Sequence, residues 1–478
     1  MAGPRTAARA RPSGIAAHAR ILTALAVIAL AACGSAAPPP RPSQVPTIVD
    51  PSPAPGPPLS TADWPTYHHD ARRTGVAVGV PAPGRLRVAW HRHLDGAVYA
   101  QPLVVGRRVI AATEGGTLYA LGSRGGNVVW RRHIADPVPL SDLPCGNIDP
   151  LGITGTPVYD PASGLVFAVA ETTGGAHLLA GVRLADGHLE VRREVEPPRG
   201  DPIATQQRPA LALHAGRVYA AFGGLLGDCA NYVGSVVSVA TNGKGPVHSY
   251  SVPTRREGGI WATGGVVAAA NRLFVTVGNG ASTSTYDGSD SVIALSTGLR
   301  RLDFFAPAVW AADNASDADL GSMSPALTGS AATGSYVFVS GKNGTGYVLR
   351  ATRLGRIDGQ VAKLSLCAGF GTAAVSGAVV YVPCVNTGIR QVTIGADGTP
   401  HAGWTAQATG AHGSPVVGGG AVWVVDYDGG VLYALNPSNG AIRARVSIGQ
   451  APHFASPSLS GSQAYVGTLD GVVAVGGV

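Results

Sequence analysis

The chain has 478 residues, 67 of them glycine and 36 proline, with 45% hydrophobic and only 13% charged side chains; it can bury a large core cut by many turns, which excludes a coiled coil or a disordered polyelectrolyte. Its formal charge of +7 includes four positive charges on Arg5, Arg9, Arg11 and Arg20, so about +3 remains for everything after them. That balance excludes a basic surface built for nucleic acid.

The four arginines precede an apolar run over 21–30 and the tetrapeptide Leu30-Ala31-Ala32-Cys33. A basic head, a short apolar stretch and small residues before a cut form a secretory signal. The tetrapeptide resembles the lipobox of bacterial lipoproteins, whose cysteine becomes the lipidated first residue. Residues 1–33 are therefore expected to be signal peptide and lipobox, with Cys33 holding the mature protein outside the cytoplasm on the cell membrane. An uncleaved anchor is the alternative; the run is short for a span, and the topology is the same. Residues 34–60 are crowded with prolines, from Pro38 to Pro58, which favour extended polyproline II and cannot build a core. They read as a linker, and 61–478 as the folded domain.

Within that domain one phrase recurs about eight times: an apolar strand opening near a proline, a small turn, a β-branched or aromatic strand, a glycine turn and a third strand. The clearest copies are QPLVVGRRVIAATEGGTLYAL from Gln101, SPVVGGGAVWVVDYDGGVLYAL from Ser414 and SPSLSGSQAYVGTLDGVVAV from Ser456. Looser copies start near Thr156, Arg208, Thr263, Ser324 and Gly371. A period of roughly 40 to 60 residues with apolar–polar alternation is the pattern of propeller blades, because a small sheet cannot bury both faces until neighbours stack on it. Fourth, outer strands are predicted at 128–134, 189–195, 247–252, 302–306, 361–366, 403–407 and 442–448. The last unit ends without one, after 472–475, whereas LRVAWHRH at 86–93 stands ahead of the first unit and matches VVWRRHI at 128–134. The N-terminal strand is expected to complete the C-terminal blade, giving an all-β, eight-bladed propeller of four-stranded blades with no open edge.

Export permits disulfides. Cys367 and Cys384 flank a turn near Ser376-Gly377 almost symmetrically, and Cys145 and Cys229 fall in long loops. Four cysteines allow three connectivities, of which 145–229 with 367–384 is the simplest.

The phrase GGTLYALGSRGGNVVWR at 115–131 resembles the repeat of the pyrroloquinoline-quinone-like (PQQ-like) propellers, in which a tryptophan near the blade end docks onto the next blade. The resemblance covers Trp64 to the C-terminus, and Trp90 and Trp130 keep the docking residue clearly, with Val191 and Ala444 near that place in other units. TYHHDARRTG from Thr66 resembles the lead-in that opens many such chains, and is read so rather than as a His68-His69-Asp70 metal site, since neighbours on an extended chain face opposite ways. The family contains quinoprotein alcohol dehydrogenases, which hold PQQ and Ca²⁺ in the central funnel, and exported, often lipid-anchored propellers without cofactor, among them the outer-membrane assembly-factor lipoprotein.

On the enzyme pattern, GGIWATGGVVAAANRLFVTVGNG implies Trp261 as the aromatic under the quinone and Asn279 as a Ca²⁺ ligand. FFAPAVWAADNASDADLGSMSPAL offers Asp317 or Asp319 as metal ligand and base, GKNGTGYVL offers Lys342 as the cationic contact, and Glu171 is the candidate third Ca²⁺ ligand. Hard oxygen donors, a base and a flat aromatic make a coherent set. The pattern is incomplete: no two cysteines are adjacent, and no Cys-x-x-Cys-His haem motif occurs. Each candidate also has an ordinary role, as blade-packing aromatic, turn residue, loop cap or solvated hairpin tip. His412 and His453 precede the first strands of the seventh and eighth units and are expected at one mouth of the channel. The leading expectation is a lipid-anchored, monomeric binding or assembly scaffold without cofactor, meeting a cell-envelope protein or a small molecule and no nucleic acid. A PQQ- and Ca²⁺-dependent alcohol or sugar dehydrogenase is the alternative, and a solute-binding propeller for cell-envelope sugars the third.

Overall fold

A computed structural model describes residues 48–49, 55–329 and 336–478; Cys33 lies outside them. Alternating sequence becomes eight antiparallel sheets, one per repeat. Their short first strands are Leu103–Val105, Val158–Asp160, Ala212–His214, Val267–Ala269, Ala326–Thr328, Ala374–Ser376, Val416–Gly418 and Ser458–Ser460. Seven of the fourth strands follow their own blades: Val128–His133, Leu189–Glu194, His248–Ser251, Arg301–Ala306, Ala362–Ser365, Pro400–Thr405 and Ile442–Ser447. The eighth is Arg87–His93, which pairs antiparallel with Gly471–Gly476 in a register that sets Val88 opposite Val475 and His93 opposite Gly471. The N-terminal strand therefore closes the ring and leaves blade 8 no free edge there. Inside the proline-rich stretch, Ile48–Val49 add to the outer strand of blade 2.

Period-two alternation builds the core between blades. Along Leu165–Glu171, Val166, Ala168 and Ala170 pack toward blade 1, while Leu165, Phe167 and Val169 pack toward blade 3. Both faces are apolar because both are covered, and burying a side chain such as Phe167 contributes about 1.5–3 kcal/mol.

Blade-to-blade docking uses three tryptophans. The indole nitrogens of Trp90, Trp130 and Trp404 donate to the carbonyls of Ser123, Leu184 and Pro437 on the next blade, at 3.0, 2.9 and 2.8 Å. Each ring lies on a glycine of positive φ, Gly126, Gly187 or Gly440, where an added Cβ would sit within 3 Å of the indole. The sixth outer strand runs over Pro400–Thr405 rather than 403–407, with a register shift between Arg390 and Val392; Trp404 falls in both ranges, but its docking role is not marked by a flanking match to Trp90 and Trp130. Val191 takes the same place against Gly243.

Both disulfides form as the simplest connectivity has it, 145–229 and 367–384. Cys367, however, lies in the loop entering blade 6 rather than on a regular hairpin strand; the hairpin's first strand is only Ala374–Ser376, and Gly369 forms an isolated bridge with Cys384.

The lead-in closes one end of the channel by touching all eight blades. Trp64 bridges Val104, the carbonyl of Pro65 accepts from Tyr159, that of Ala71 from Ala268, that of Thr74 from Val375, and that of Gly75 from Val417. Arg73 Nη2 donates to Leu211 O at 2.8 Å, Arg72 to Gly329 O at 3.1 Å, and His68 Nε2 meets Ser456 Oγ at 3.1 Å. Its anchor is the fully buried Arg73, whose guanidinium also donates to Gly264 O, Thr66 Oγ1 and Tyr67 O at 3.0, 2.7 and 3.0 Å. His68 is buried against the Tyr67 ring, 4.5 Å between centroids, and desolvation, with Arg73 nearby, pushes its pKa down to about 3. Asp70 accepts from the Arg72 amide at 2.8 Å and shapes the turn. The histidine pair thus belongs to a plug.

Candidate functional site

With the far end plugged, the channel opens at the other face into a funnel of about 840 Å³. It is lined by loops that lead into the first strands of blades 1 to 6 and 8 and by loops that join second to third strands in blades 3, 4, 5, 7 and 8. Trp261 enters ahead of blade 4, Asn279 follows the second strand of blade 4, Asp317 and Asp319 lie between blades 4 and 5, and Lys342 caps the second strand of blade 5. These five positions, remote in sequence, line one wall.

Lys342 Nζ lies 2.6 Å from Asp317 Oδ1 and 2.7 Å from Asp319 Oδ2, and stands 5.8 Å from the Trp261 ring centroid. Asn279 Nδ2 donates to Asp317 Oδ1 at 2.7 Å. Gly278 permits the close approach, since a Cβ there would meet Trp261 Nε1 at 3.1 Å and Asp319 Oδ1 at 3.2 Å. Burial pushes the Asp319 carboxyl up to about 6 against the pull of Lys342. Burial works against the Lys342 ammonium, but Asp319 and Asp317 outweigh it and raise its pKa. Two oxygens on this wall, Asn279 Oδ1 and Asp319 Oδ1, are buried without a hydrogen-bond partner.

Glu171 does not join them. It is buried beside blade 3, its Oε1 accepting from the Gln207 amide at 2.8 Å, and burial lifts its pKa to about 7. The donor set therefore does not fit Ca²⁺: two unpartnered oxygens fall far short of the six to eight that the ion takes, and the Lys342 ammonium already occupies both aspartates.

The funnel is also lined by stacked aromatic rings and by a cation that sequence reading missed. Phe370 and Phe454 stack with centroids 5.9 Å apart and planes within 10°, and Trp261 lies 6.2 and 6.4 Å from them. The Arg208 guanidinium sits 4.8 Å from the Phe454 centroid and, among the described residues, donates to His453 O at 3.3 Å. It has no carboxylate partner among the described residues, and desolvation lowers its pKa. Phe454 is held at a φ of 67°, a conformation that a bulky side chain pays for. A signal for Arg208 exists: the residue before the blade-opening proline is Gln101, Thr156, Ser324, Ser414 or Ser456 elsewhere, and arginine only here. Those hydroxyls and Gln101 form a buried belt, Gln101 Nε2 donating to Ser456 Oγ at 3.0 Å and Gln101 N to Thr156 Oγ1 at 2.9 Å. His453 lines the funnel as expected, but His412 is buried behind it, its ring edge-on to Tyr427 at 4.7 Å. The Cys145–Cys229 bridge joins two rim loops, next to the lining residues Asn147 and Asp228.

Fold and funnel together define an eight-bladed β-propeller with a one-mouthed central cavity. Residues 82–271 match the family model described as outer membrane protein assembly factor BamB. Solved structures with the same fold include a europium-containing methanol dehydrogenase, at a TM-score of 0.66 and 14% identity over 87% of this chain and 98% of that one. The quinohemoprotein alcohol dehydrogenase of Comamonas testosteroni aligns at 0.63 and 16%, covering 87% and 80%, and BamB from Moraxella catarrhalis at 0.55 and 15%, covering 82% and 97%. No curated protein matches the sequence. Over residues 82–271 the chain resembles that family, and with the solved structures it shares the β-propeller fold. Among the described residues no helix is long and apolar enough to cross a membrane.

Proposed function

We propose that this protein is a lipid-anchored, extracytoplasmic propeller that works by binding, its funnel receiving a flat organic anion without a resident metal. The observation that carries the reading is Arg208: a half-buried guanidinium with no carboxylate in ion-pair range among the described residues, beside stacked aromatic planes, favours an anionic, planar ligand. Lys342 also lines the funnel but is paired with two aspartates, so it orders its own surroundings rather than adding free positive charge. Export and Cys33 lipidation supply the location. The closed ring supports action as a monomer toward a cell-envelope ligand or protein partner, and the modest charge argues against nucleic acid.

The test is quenching of tryptophan fluorescence by a panel of flat aromatic carboxylates and phosphates, with neutral amides of the same rings as controls. Binding of acids over amides, weakened at least tenfold in Arg208→Met, supports the reading; equal binding of acids and amides, or an unaffected variant, refutes it.

A second reading, a quinone-dependent dehydrogenase, is favoured by the convergence of Trp261, Asn279, Asp317, Asp319 and Lys342 on one wall. The poor fit to Ca²⁺ and the distant Glu171 weigh against it.

A further inference from the structure

Outside the funnel, on the blade that closes the ring, three metal-ligating side chains converge. His91 and His93 are two residues apart on the strand Arg87–His93, so both imidazoles project from one face. Their strand partners are Val473 and Gly471, which brings the rings over the tight turn that carries Asp470. His91 Nε2 lies 3.1 Å from Asp470 Oδ1, and His93 Nδ1 lies 3.0 Å from Oδ2. The ring centroids are 4.2 Å apart, and one donor atom from each residue falls within 4.8 Å of the others.

We propose that His91, His93 and Asp470 form a binding site for a borderline transition-metal ion, with Zn²⁺ the type case, that staples the N-terminal strand to the last blade. A tetrahedral ion with bonds of about 2.0–2.1 Å has ligand–ligand edges of about 3.3 Å; each imidazole already stands about that far from one oxygen of Asp470, on Oδ1 and Oδ2 respectively, so a small adjustment brings both nitrogens and one oxygen around a single ion. Two imidazoles and a carboxylate suit Zn²⁺, Co²⁺, Ni²⁺ or Cu²⁺ rather than Ca²⁺ or Mg²⁺. All three residues are solvent-accessible, so water can complete the shell. Asp470 is already oriented, its Oδ1 accepting from Thr468 Oγ1 at 2.7 Å, which is the kind of support that fixes a metal-binding carboxylate.

The internal repeat isolates the feature. Aligned on Trp90 and Trp130, the outer strand of blade 1 has Arg131 where the closing strand has His91, and its single histidine, His133, meets Asp136 Oδ1 at 3.1 Å and Thr117 Oγ1 at 3.2 Å, with no second imidazole on the strand. The second histidine is thus particular to the blade whose strands come from opposite ends of the domain. The three ligands meet only when the ring is closed, so an ion that binds them favours the closed form by mass action.

The experiment uses the full mature chain, stripped with a chelator and titrated with Co²⁺ and then Zn²⁺. Equilibrium dialysis, the visible spectrum of Co²⁺ and the thermal midpoint are followed. The proposal expects one ion per chain, a midpoint that rises with metal, and at least tenfold weaker binding in His91→Ala, His93→Ala and Asp470→Asn, with His133→Ala unchanged. Each variant's midpoint in chelator reports whether it folds, and the near-isosteric Asp470→Asn serves if an alanine variant does not. No saturable binding by the wild-type chain, or undiminished binding in folded His93→Ala or Asp470→Asn, overturns it.

Discussion

Replacing Arg73 by methionine removes the buried cation that ties the plug to the inner strands, while keeping side-chain length. Four acceptors lose their donor: the carbonyls of Gly264, Tyr67 and Leu211 and the hydroxyl of Thr66. A buried acceptor left unpaired costs about 1 kcal/mol at the low end, so the gross loss is about 4 kcal/mol. Burying a guanidinium is itself unfavourable, and its removal returns part of that, leaving about 2–4 kcal/mol of destabilisation. For a domain of some 420 residues, unfolding entropy near 2.1 cal/mol/K per residue converts this to a fall in Tm of about 2–5 °C. Calorimetry of wild type, Arg73→Met and Arg73→Lys would measure it, with the lysine variant in between because an ammonium cannot span all four acceptors. An Arg73→Met midpoint equal to or above wild type would show that the plug is not held by this network.

Deleting 86–93 should unfold blade 8 and lower the midpoint far more than deleting 34–44, because only the former exposes an edge; equal midpoints would contradict the shared blade. Cys33→Ala should leave the protein unprocessed or release it from the membrane fraction, and normal processing with full membrane retention would contradict lipidation. Glu114 is buried, with one oxygen unpartnered, and burial raises its pKa from 4.5 to about 8. The folded state thus keeps a proton that the unfolded chain releases, so its contribution to stability is intact below pH 4.5 and is lost as pH rises toward 8. Glu114→Gln should therefore gain in Tm over wild type progressively from pH 5 to pH 8, and a pH-independent difference would refute the assignment.

Repeat period, blade number and ring closure were legible because they depend on strand alternation and on Trp90 matching Trp130, both local signals. The register of the sixth outer strand was not, since nothing local marks the shift beside Arg390, and Trp404 lacks the flanking residues that make Trp90 and Trp130 match. In the candidate site, Trp261, Asn279, Asp317, Asp319 and Lys342 were found by motif and do converge. Glu171 was assigned by proximity to a strand end, but it turns toward the Gln207 amide, a long-range contact that spacing does not encode. Arg208 reads in the sequence only as the start of the third unit, and nothing local marks it as a funnel residue. Its role depends on seven other blades placing smaller or polar groups around the same channel. The lead-in TYHHDARRTG was recognised as a unit, but its function as a plug needs eight blades in place to be seen.

The most direct test of the central claim, a metal-free funnel for a flat anion, is titration of the purified protein with PQQ, a planar polycarboxylate, with Ca²⁺ and with chelator. Tryptophan quenching, thermal shift and alcohol oxidation with an artificial acceptor are followed in parallel. A ligand at a hundred times its Kd adds about 2.7 kcal/mol of stability, well within reach of the thermal assay. The account predicts binding that is indifferent to Ca²⁺, is lost in Arg208→Met and supports no turnover. Binding that requires Ca²⁺, survives Arg208→Met, fails in Asn279→Ala and oxidises alcohols would contradict it and establish the dehydrogenase.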